Sequence, residues 1–139
     1  MIQITKDNLT IIIVTIKSQK IIDDCLESID PNIKKIVVEN SSNKEFAKYL
    51  TKKYKNTECY LTGQNLGMGS GNNYGINKSK TRYVMVLNPD AILKDDSLNQ
   101  IFEISKNLEF AILSPLSDNE EYPNYKIHKN SQIDKSSLF

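Results

Sequence analysis

The tripeptide best suited to holding a metal ion in this sequence is Asn88-Pro89-Asp90, which follows an apolar run. A carboxylate at the end of a strand, on a turn stiffened by proline, can bind Mg²⁺ or Mn²⁺. These ions often take only one or two protein carboxylates and complete their coordination with phosphate oxygens and water. Asn, Pro and Asp are also common turn residues, so the tripeptide alone favours an ordinary strand-ending turn.

The second candidate is a glycine-rich segment that runs Gly67-Met68-Gly69-Ser70-Gly71-Asn72-Asn73-Tyr74-Gly75. Glycines let a backbone approach a ligand closely or adopt positive φ, and the amides of a following helix start favour a diphosphate. The segment is not a dinucleotide fingerprint, because Tyr74 stands where a third glycine is needed. It is not a P-loop either, since no glycine precedes Lys and Ser or Thr. A flexible loop and a phosphate-binding loop are equally compatible with it.

Cysteine and histidine give little support to other chemistry. Cys25 and Cys59 lie far apart with no Cys or His at metal-ligand spacing, and Cys25 lies within an apolar helical pattern. The single histidine, His128, lies in a polar stretch with no group nearby to orient it. Zinc-hydrolase and Ser-His-Asp sites are therefore disfavoured.

Strands and helices are predicted to alternate along the chain. Apolar or β-branched runs predict strands at 10–15, 36–38, 59–61, 83–87 and 110–113. Helical spacing predicts helices at 21–29, 46–54 and 98–105, with a short one at 76–78 after the glycine-rich loop. Ser42 and Glu45 have the form of a capping box for the second helix. The alternation predicts an α/β fold, a mostly parallel sheet flanked by helices on both faces.

In such a sheet, ligands bind outside the carboxyl ends of the strands. Polar clusters follow the predicted strands at 15–18, 39–42, 62–65 and 88–90, so we expect all four to face one crevice. In the second cluster, Glu39 could accept a hydrogen bond from a base N–H or a ribose hydroxyl. By itself, Glu39 is more simply a solvated loop charge.

Four segments together carry a family resemblance: 10–15, 37–42, 65–76 and 86–90. In this order and at these separations they resemble the N-terminal half of family 2 glycosyltransferases with the GT-A fold, in particular the bacterial rhamnosyltransferase-like branch. The resemblance covers roughly residues 9–115. It implies a Rossmann-like, nucleotide-sugar-binding domain over residues 1–116 and a polar, partly irregular tail over 117–139, with the C-terminal part of the fold missing.

The resemblance implies a role for each matched residue. Asp90 would hold Mg²⁺ or Mn²⁺ on the donor diphosphate, with Asn88 in place of the family's first carboxylate. Glu39 stands where the family usually has Asp at the base. The residues implied to contact the nucleotide sugar are Thr15, Ile16, Ser18, Glu39, Asn40, Ser41, Asn65, Gly67, Met68, Asn73 and Asn88.

The implied reaction is inverting glycosyl transfer from dTDP-rhamnose or a UDP-sugar to a saccharide or lipid-linked acceptor, as in polysaccharide biosynthesis. Such enzymes use a general base, usually an Asp or Glu well after the metal-binding position. The carboxylates after residue 110 are Asp118, Glu120, Glu121 and Asp134. None lies in a recognisable base motif, so the sequence assigns no base.

Three functions stay open at this point. The chain could be a transferase whose remaining half comes from a partner chain, from dimerisation or from a longer gene product. It could be a truncated, non-catalytic module that binds nucleotide or nothing. It could also be an unrelated doubly wound α/β protein, such as a flavodoxin-like or nucleotidyl-transfer domain, which predicts no role for Asp90.

Composition narrows the class of protein. The 139 residues suffice for one α/β domain, and the net charge of +1 gives no electrostatic footprint for nucleic acid. The longest apolar run, 11–14, is too short to span a bilayer, and the N-terminus lacks the apolar stretch of a signal peptide. We expect a cytoplasmic protein, or one peripheral at the inner face of the membrane, that self-associates if a sheet edge is uncovered.

Overall fold

A computed structural model describes residues 3–115. Four strands form one sheet in the order β3-β2-β1-β4, and all three neighbouring pairs are parallel. The strands are β1 (Leu9–Thr15), β2 (Lys34–Glu39), β3 (Thr57–Leu61) and β4 (Tyr83–Val86). The helices are α1 (Ile22–Glu27), α2 (Lys44–Lys53), α3 (Gly67–Lys78) and α4 (Ser97–Ser105), and a 3₁₀ turn at Lys6–Asn8 precedes β1.

The helices cover both faces of the sheet, as the sequence predicts. Successive side chains of a strand point to opposite faces, and every residue of β1 is buried. On one face, Ile11 and Ile13 pack in a cluster with apolar residues of α1, α2 and α4. On the other face, Ile12 and Val14 pack with Tyr74 and Ile76 of α3. The α/β prediction is confirmed.

The order of the strands reverses at β1. The chain moves outward from β1 to β2 and β3, then returns past both to place β4 on the other side of β1. Right-handed crossovers require helices on opposite faces when the direction reverses, which explains why α3 lies opposite α1 and α2. The carboxyl ends of β1 and β4 therefore form the topological switch point, where doubly wound sheets bind ligands.

The glycine-rich segment is a helix, and the prediction of a loop with a short helix only at 76–78 is wrong. Gly71 and Gly75 lie one turn apart on α3 and face the sheet. A Cβ at Gly71 would lie 2.8 Å from Val14 Cγ1, and one at Gly75 would lie 2.5 Å from Ile12 Cγ2. These glycines allow the helix to approach the strands closely. Packing against the sheet outweighs the poor helix propensity of glycine.

Two smaller predictions are also wrong. The helix cap at the start of α2 is Asn43 and not Ser42, because the Asn43 side chain accepts a hydrogen bond from the Phe46 amide at 3.0 Å. The run at 110–113 is not a strand. Phe110 instead stacks on Tyr83, with ring centroids 6.1 Å apart, while Ile112 is 89% exposed. An apolar run forms a strand only where a neighbouring strand completes its hydrogen bonds.

Several sequence-based predictions lie outside the described residues. They concern the polar tail over 117–139, His128 and the four candidate carboxylates after residue 110. Within residues 3–115, no helix is long and apolar enough to cross a membrane.

Candidate functional site

Hydrogen bonds join three of the four polar clusters at the carboxyl edge of the sheet. The Thr15 hydroxyl donates to Glu39 Oε2 at 2.6 Å, and the Asn40 amide donates to the Thr15 carbonyl at 2.8 Å. The Thr62 amide donates to the Glu39 carbonyl at 3.1 Å, and Gly63 donates to the Ser41 carbonyl at the same distance. The loops after β1, β2 and β3 thus form one connected surface.

The fourth cluster, 88–90, follows β4 at the same edge. The Leu87 amide donates to the Ile12 carbonyl at 2.9 Å and so extends the pairing of β4 with β1 by one residue. Because Ile12 pairs with Val86, Asn88 comes level with Val14, near the end of β1. A turn follows, in which the Ala91 amide donates to the Asn88 carbonyl at 3.1 Å. Both Asn88 and Asp90 are exposed there.

Glu39 is a buried carboxylate, with only 1% of the residue exposed. Oε2 accepts from the Thr15 hydroxyl, and Oε1 accepts from the Ser41 hydroxyl at 2.5 Å. The simpler sequence-based interpretation, a solvated loop charge, is therefore wrong. Carboxylate oxygens accept more than one hydrogen bond each, so Glu39 keeps acceptor capacity while it fixes both hydroxyls.

Asn40 and Asn65 together fix the start of α3. The buried Asn40 side chain donates to the Gly67 carbonyl at 3.1 Å and to Asn65 Oδ1 at 3.5 Å. Asn65 Oδ1 also accepts from the Gly67 amide at 2.9 Å, which closes a tight turn. Gly67 has φ +77°, a left-handed conformation that favours glycine. Side chains from the loops after β2 and β3 thereby set where the helix begins.

The loop between β1 and α1 combines an exposed part and a buried anchor. Ile16 is 41% exposed, and Lys17 has φ +54°, which is uncommon for a residue with a side chain. Ser18 is buried, and its carbonyl accepts from the amides of Ile21 and Ile22 at 3.1 Å each. The loop therefore presents Ile16 and Lys17 at the carboxyl edge and passes directly into α1.

On α3, Asn72 is a candidate site residue that the sequence does not single out. Asn73, which the resemblance implies as a contact, is exposed on the helix, as is Met68. The neighbouring Asn72 has a buried Oδ1 with no hydrogen-bond partner among the described residues. It adjoins Gly71, which lies against Val14 and Asn40. If the glycine-rich segment is treated as a helix, the sequence alone predicts that Asn72 and Asn73 lie on different sides of it.

The donor set around Asp90 fits a cation that a substrate helps to coordinate. Within residues 3–115, no three His, Cys, Asp or Glu side chains are grouped to hold a metal ion. Asp90 is exposed and makes no hydrogen bond or ion pair with the described residues. One free carboxylate, two residues after Asn88 in the same turn, suits a hard cation that takes its other oxygens from phosphate and water.

The thiol of Cys25 lies under this turn. Its Sγ donates to the Asn88 carbonyl at 3.5 Å. Burial, together with the negative charge of Asp90, raises the pKa of the Cys25 thiol to about 11. The thiol is therefore protonated at neutral pH and available as a donor, and it is not a reactive thiolate.

The model of the family "Glycosyl transferase family 2" matches residues 10–139. The low-salt glycan biosynthesis hexosyltransferase Agl10 of Haloferax volcanii is 31% identical over a 119-residue alignment, which covers 83% of this chain and 38% of that protein. This chain thus spans well under half the length of that relative.

Two solved structures of TarS from S. aureus share the fold. The TarS 1-349 structure superposes with a TM-score of 0.58 at 19% identity, over 66% of this chain and 30% of that one. The other TarS structure gives a TM-score of 0.55 at 16% identity, over 69% of this chain and 20% of that one. At these identities the likeness concerns the fold alone, an all-parallel sheet resembling GT-A glycosyltransferase structures.

Proposed function

Because the chain belongs to glycosyl transferase family 2, we propose that it forms the donor-binding part of an enzyme that transfers a hexosyl group from a nucleotide-diphospho-sugar. The family and the hexosyltransferase relative support nucleotide-sugar glycosyl transfer in general. The family assignment also means that the third sequence-based alternative, an unrelated doubly wound protein, is wrong. The observation that carries the proposal is the hydrogen-bonded convergence of the loops after β1, β2 and β3 beside the turn that holds Asp90.

In this proposal the nucleoside lies against the ends of β1 and β2. The Thr15 and Ser41 hydroxyls are held there by Glu39, and the Asn40 side chain is held by Asn65 and the Gly67 carbonyl, so they are oriented before a ligand arrives. Such preorganisation reduces the entropy lost on binding. Ile16 and Met68 offer exposed apolar surface to the base or the sugar. Ser18, Asn65, Gly67 and Asn73 complete the proposed contacts.

Asp90 and Asn88 are the proposed holders of Mg²⁺ or Mn²⁺. When bound, the ion would neutralise charge that develops on the departing nucleoside diphosphate. The exposed Asp90 carboxylate supplies the protein charge, and the turn closed at the Asn88 carbonyl fixes its backbone. The Asn-Pro-Asp pattern supports the rhamnosyltransferase-like branch, so dTDP-rhamnose is the first donor to test and UDP-sugars are the next.

The proposal is tested by calorimetric titration with dTDP and with UDP, each with and without Mn²⁺. Asp90→Ala should abolish the Mn²⁺-dependent part of the binding. Asp95→Ala is a matched control, since it removes an exposed carboxylate from the same connection to α4, and it should bind like the wild type. Equal behaviour of the two variants would contradict the metal role of Asp90, and lack of nucleotide binding by the folded wild type would contradict a donor site.

A second candidate is a module that binds the donor without turnover. The carboxylates after residue 110 lie outside the described residues, so the general base, the acceptor and any partner chain stay predictions. Both candidates require the same donor site and differ only in catalysis. Release of nucleoside diphosphate from the sugar nucleotide in the presence of saccharide acceptors would favour the transferase, and binding without release would favour the module.

A further inference from the structure

The backbone segment that carries Asp90 is attached to α1 at both of its ends. At the first end, Cys25 Sγ donates to the Asn88 carbonyl at 3.5 Å. At the second, the Leu93 amide donates to Ser28 Oγ at 3.0 Å. Between these two points, Asp90 makes no hydrogen bond or ion pair with the rest of residues 3–115. The position of its carboxylate therefore depends on how residues 88–93 are held.

Both attachments come from one face of the helix end. Cys25 and Ser28 are three residues apart, so their side chains lie on the same side. The Ser28 hydroxyl donates to the Cys25 carbonyl at 2.7 Å, which leaves its oxygen free to accept from Leu93. Cys25 is fully buried in the cluster that joins α1 to the sheet. The face thus forms a fixed support beneath a surface turn.

The same helix begins at the loop proposed to contact the nucleotide. The Ser18 carbonyl accepts from the amides of Ile21 and Ile22, so the loop after β1 is continuous with α1. One short helix, packed into the core through Ile22, Cys25 and Leu26, thereby connects the nucleotide loop to the turn that bears Asp90. Any shift of one relative to the other has to displace side chains packed in the core.

We propose that Cys25 and Ser28 are positioning residues that hold Asp90 where it can share a cation with the diphosphate. The inference rests on the proposed function of Asp90. Residues that orient a metal ligand typically change metal affinity by about 10- to 100-fold when they are removed. Ser28 should therefore affect the metal-dependent part of nucleotide binding and leave the metal-free part unchanged.

The chain offers a closely matched control in Ser105. Its hydroxyl donates to the Phe102 carbonyl at 2.8 Å and accepts from the Ile4 amide at 3.1 Å, which is the arrangement of Ser28 at a helix end distant from the site. Ser28→Ala and Ser105→Ala each remove one such pair of hydrogen bonds. A general loss of stability should therefore appear in both variants, and a positioning effect in Ser28→Ala alone.

The experiment is a titration of each variant with dTDP or UDP at increasing Mn²⁺, together with urea unfolding. We expect Ser28→Ala to lower the gain in nucleotide affinity on adding Mn²⁺ by about tenfold, Ser28→Thr to restore it, and Ser105→Ala to keep it. A wild-type Mn²⁺ response in Ser28→Ala, or an equal loss in Ser105→Ala, would overturn the inference. Asp90→Ala separates the two claims, because a normal Mn²⁺ response in that variant would overturn the proposed metal role itself.

Discussion

Glu39 joins the loops that follow β1, β2 and β3 at the carboxyl edge. Its carboxylate accepts from hydroxyls on two segments, Thr15 at the end of β1 and Ser41 after β2, while its carbonyl accepts from Thr62. The resemblance implies an aspartate here, and the longer glutamate reaches the neighbouring strand. A charged group buried this deeply is tolerated because hydrogen bonds compensate for its lost hydration. Glu39 therefore fixes the positions of two hydroxyls in the candidate site.

Replacing Glu39 by glutamine should lower the free energy of unfolding by about 1–3 kcal/mol, because hydrogen bonds to a charged acceptor are exchanged for weaker ones. Glu58→Gln is the control, since it changes an exposed carboxylate that accepts from the Tyr60 hydroxyl, and it should change stability by less than about 0.5 kcal/mol. Urea denaturation of both variants measures the difference. Equal changes in the free energy of unfolding of the two variants would contradict a stabilising role for the buried hydrogen bonds of Glu39.

At the scale of elements, α3 decides the shape of the site because it lies so close to the strands. A Cβ added at Gly71 would meet the side chains of Val14 and Asn40, and one added at Gly75 would meet those of Ile12 and Val38. The first turn of the helix is tied to Asn40 through the Gly67 carbonyl. Side chains larger than hydrogen at Gly71 and Gly75 would push α3 away from the sheet and from the neighbouring loops at the carboxyl edge.

Gly75→Ala should therefore destabilise the protein by about 1–3 kcal/mol through overpacking. Gly69→Ala lies on the same helix, where an added Cβ would meet nothing within 4 Å. It should stabilise by about 0.5–1 kcal/mol, because alanine has the better helix propensity. Urea denaturation gives both values, and stabilisation by both substitutions would contradict the packing role of Gly75.

A buried lysine near the amino end of β2 should make the free energy of unfolding depend on pH. Lys35 is 2% exposed, and its Nζ donates to the Ile33 carbonyl at 2.8 Å. Burial lowers the pKa of Lys35 below its ordinary 10.5, partly opposed by the charge of Asp30. The unfolded chain thus binds more protons between the lowered pKa and 10.5, so the contribution of Lys35 to stability rises with pH across that window.

The comparison variant is Lys35→Met, which keeps the stem and removes the charge. It should be more stable than the wild type near neutral pH, by about 1 kcal/mol, because no buried charge remains. The advantage should shrink as the pH rises toward 10.5 and the wild-type lysine loses its proton. Unfolding measured across this range checks the sign, and a widening advantage would contradict it.

The sequence predicts some of these elements better than others, for physical reasons. The cores of β1 and β2 are recognisable because strands covered on both faces are continuously apolar, and their observed bounds extend the predicted ones by at most two residues. The helix α3 was missed because its glycines matter only against Ile12 and Val14, which are distant in sequence. The hydrogen bonds that attach residues 88–93 to Cys25 and Ser28 also join residues distant in sequence, so no local sequence pattern predicts them.

At the scale of the whole molecule, the strand order brings separate sequence motifs together in one candidate site. Placing β4 beside β1 brings the turn of Asp90 to the same edge as the loops after β1, β2 and β3. Those motifs lie up to 75 residues apart, counting from Thr15 to Asp90. At the amino ends of the strands, near Lys35 and Asn56, the strands are also paired, but none of the four polar clusters lies there.

The central claim is that a nucleoside diphosphate and a divalent cation bind together at the carboxyl edge. The most direct measurement is paramagnetic broadening of backbone amide signals by Mn²⁺ in the presence of dTDP or UDP. We predict that broadening concentrates at 88–91 and 15–18, spares Lys35 and Asn56, and disappears in Asp90→Ala. Broadening centred at the amino edge, or a pattern unchanged in Asp90→Ala, would contradict the account.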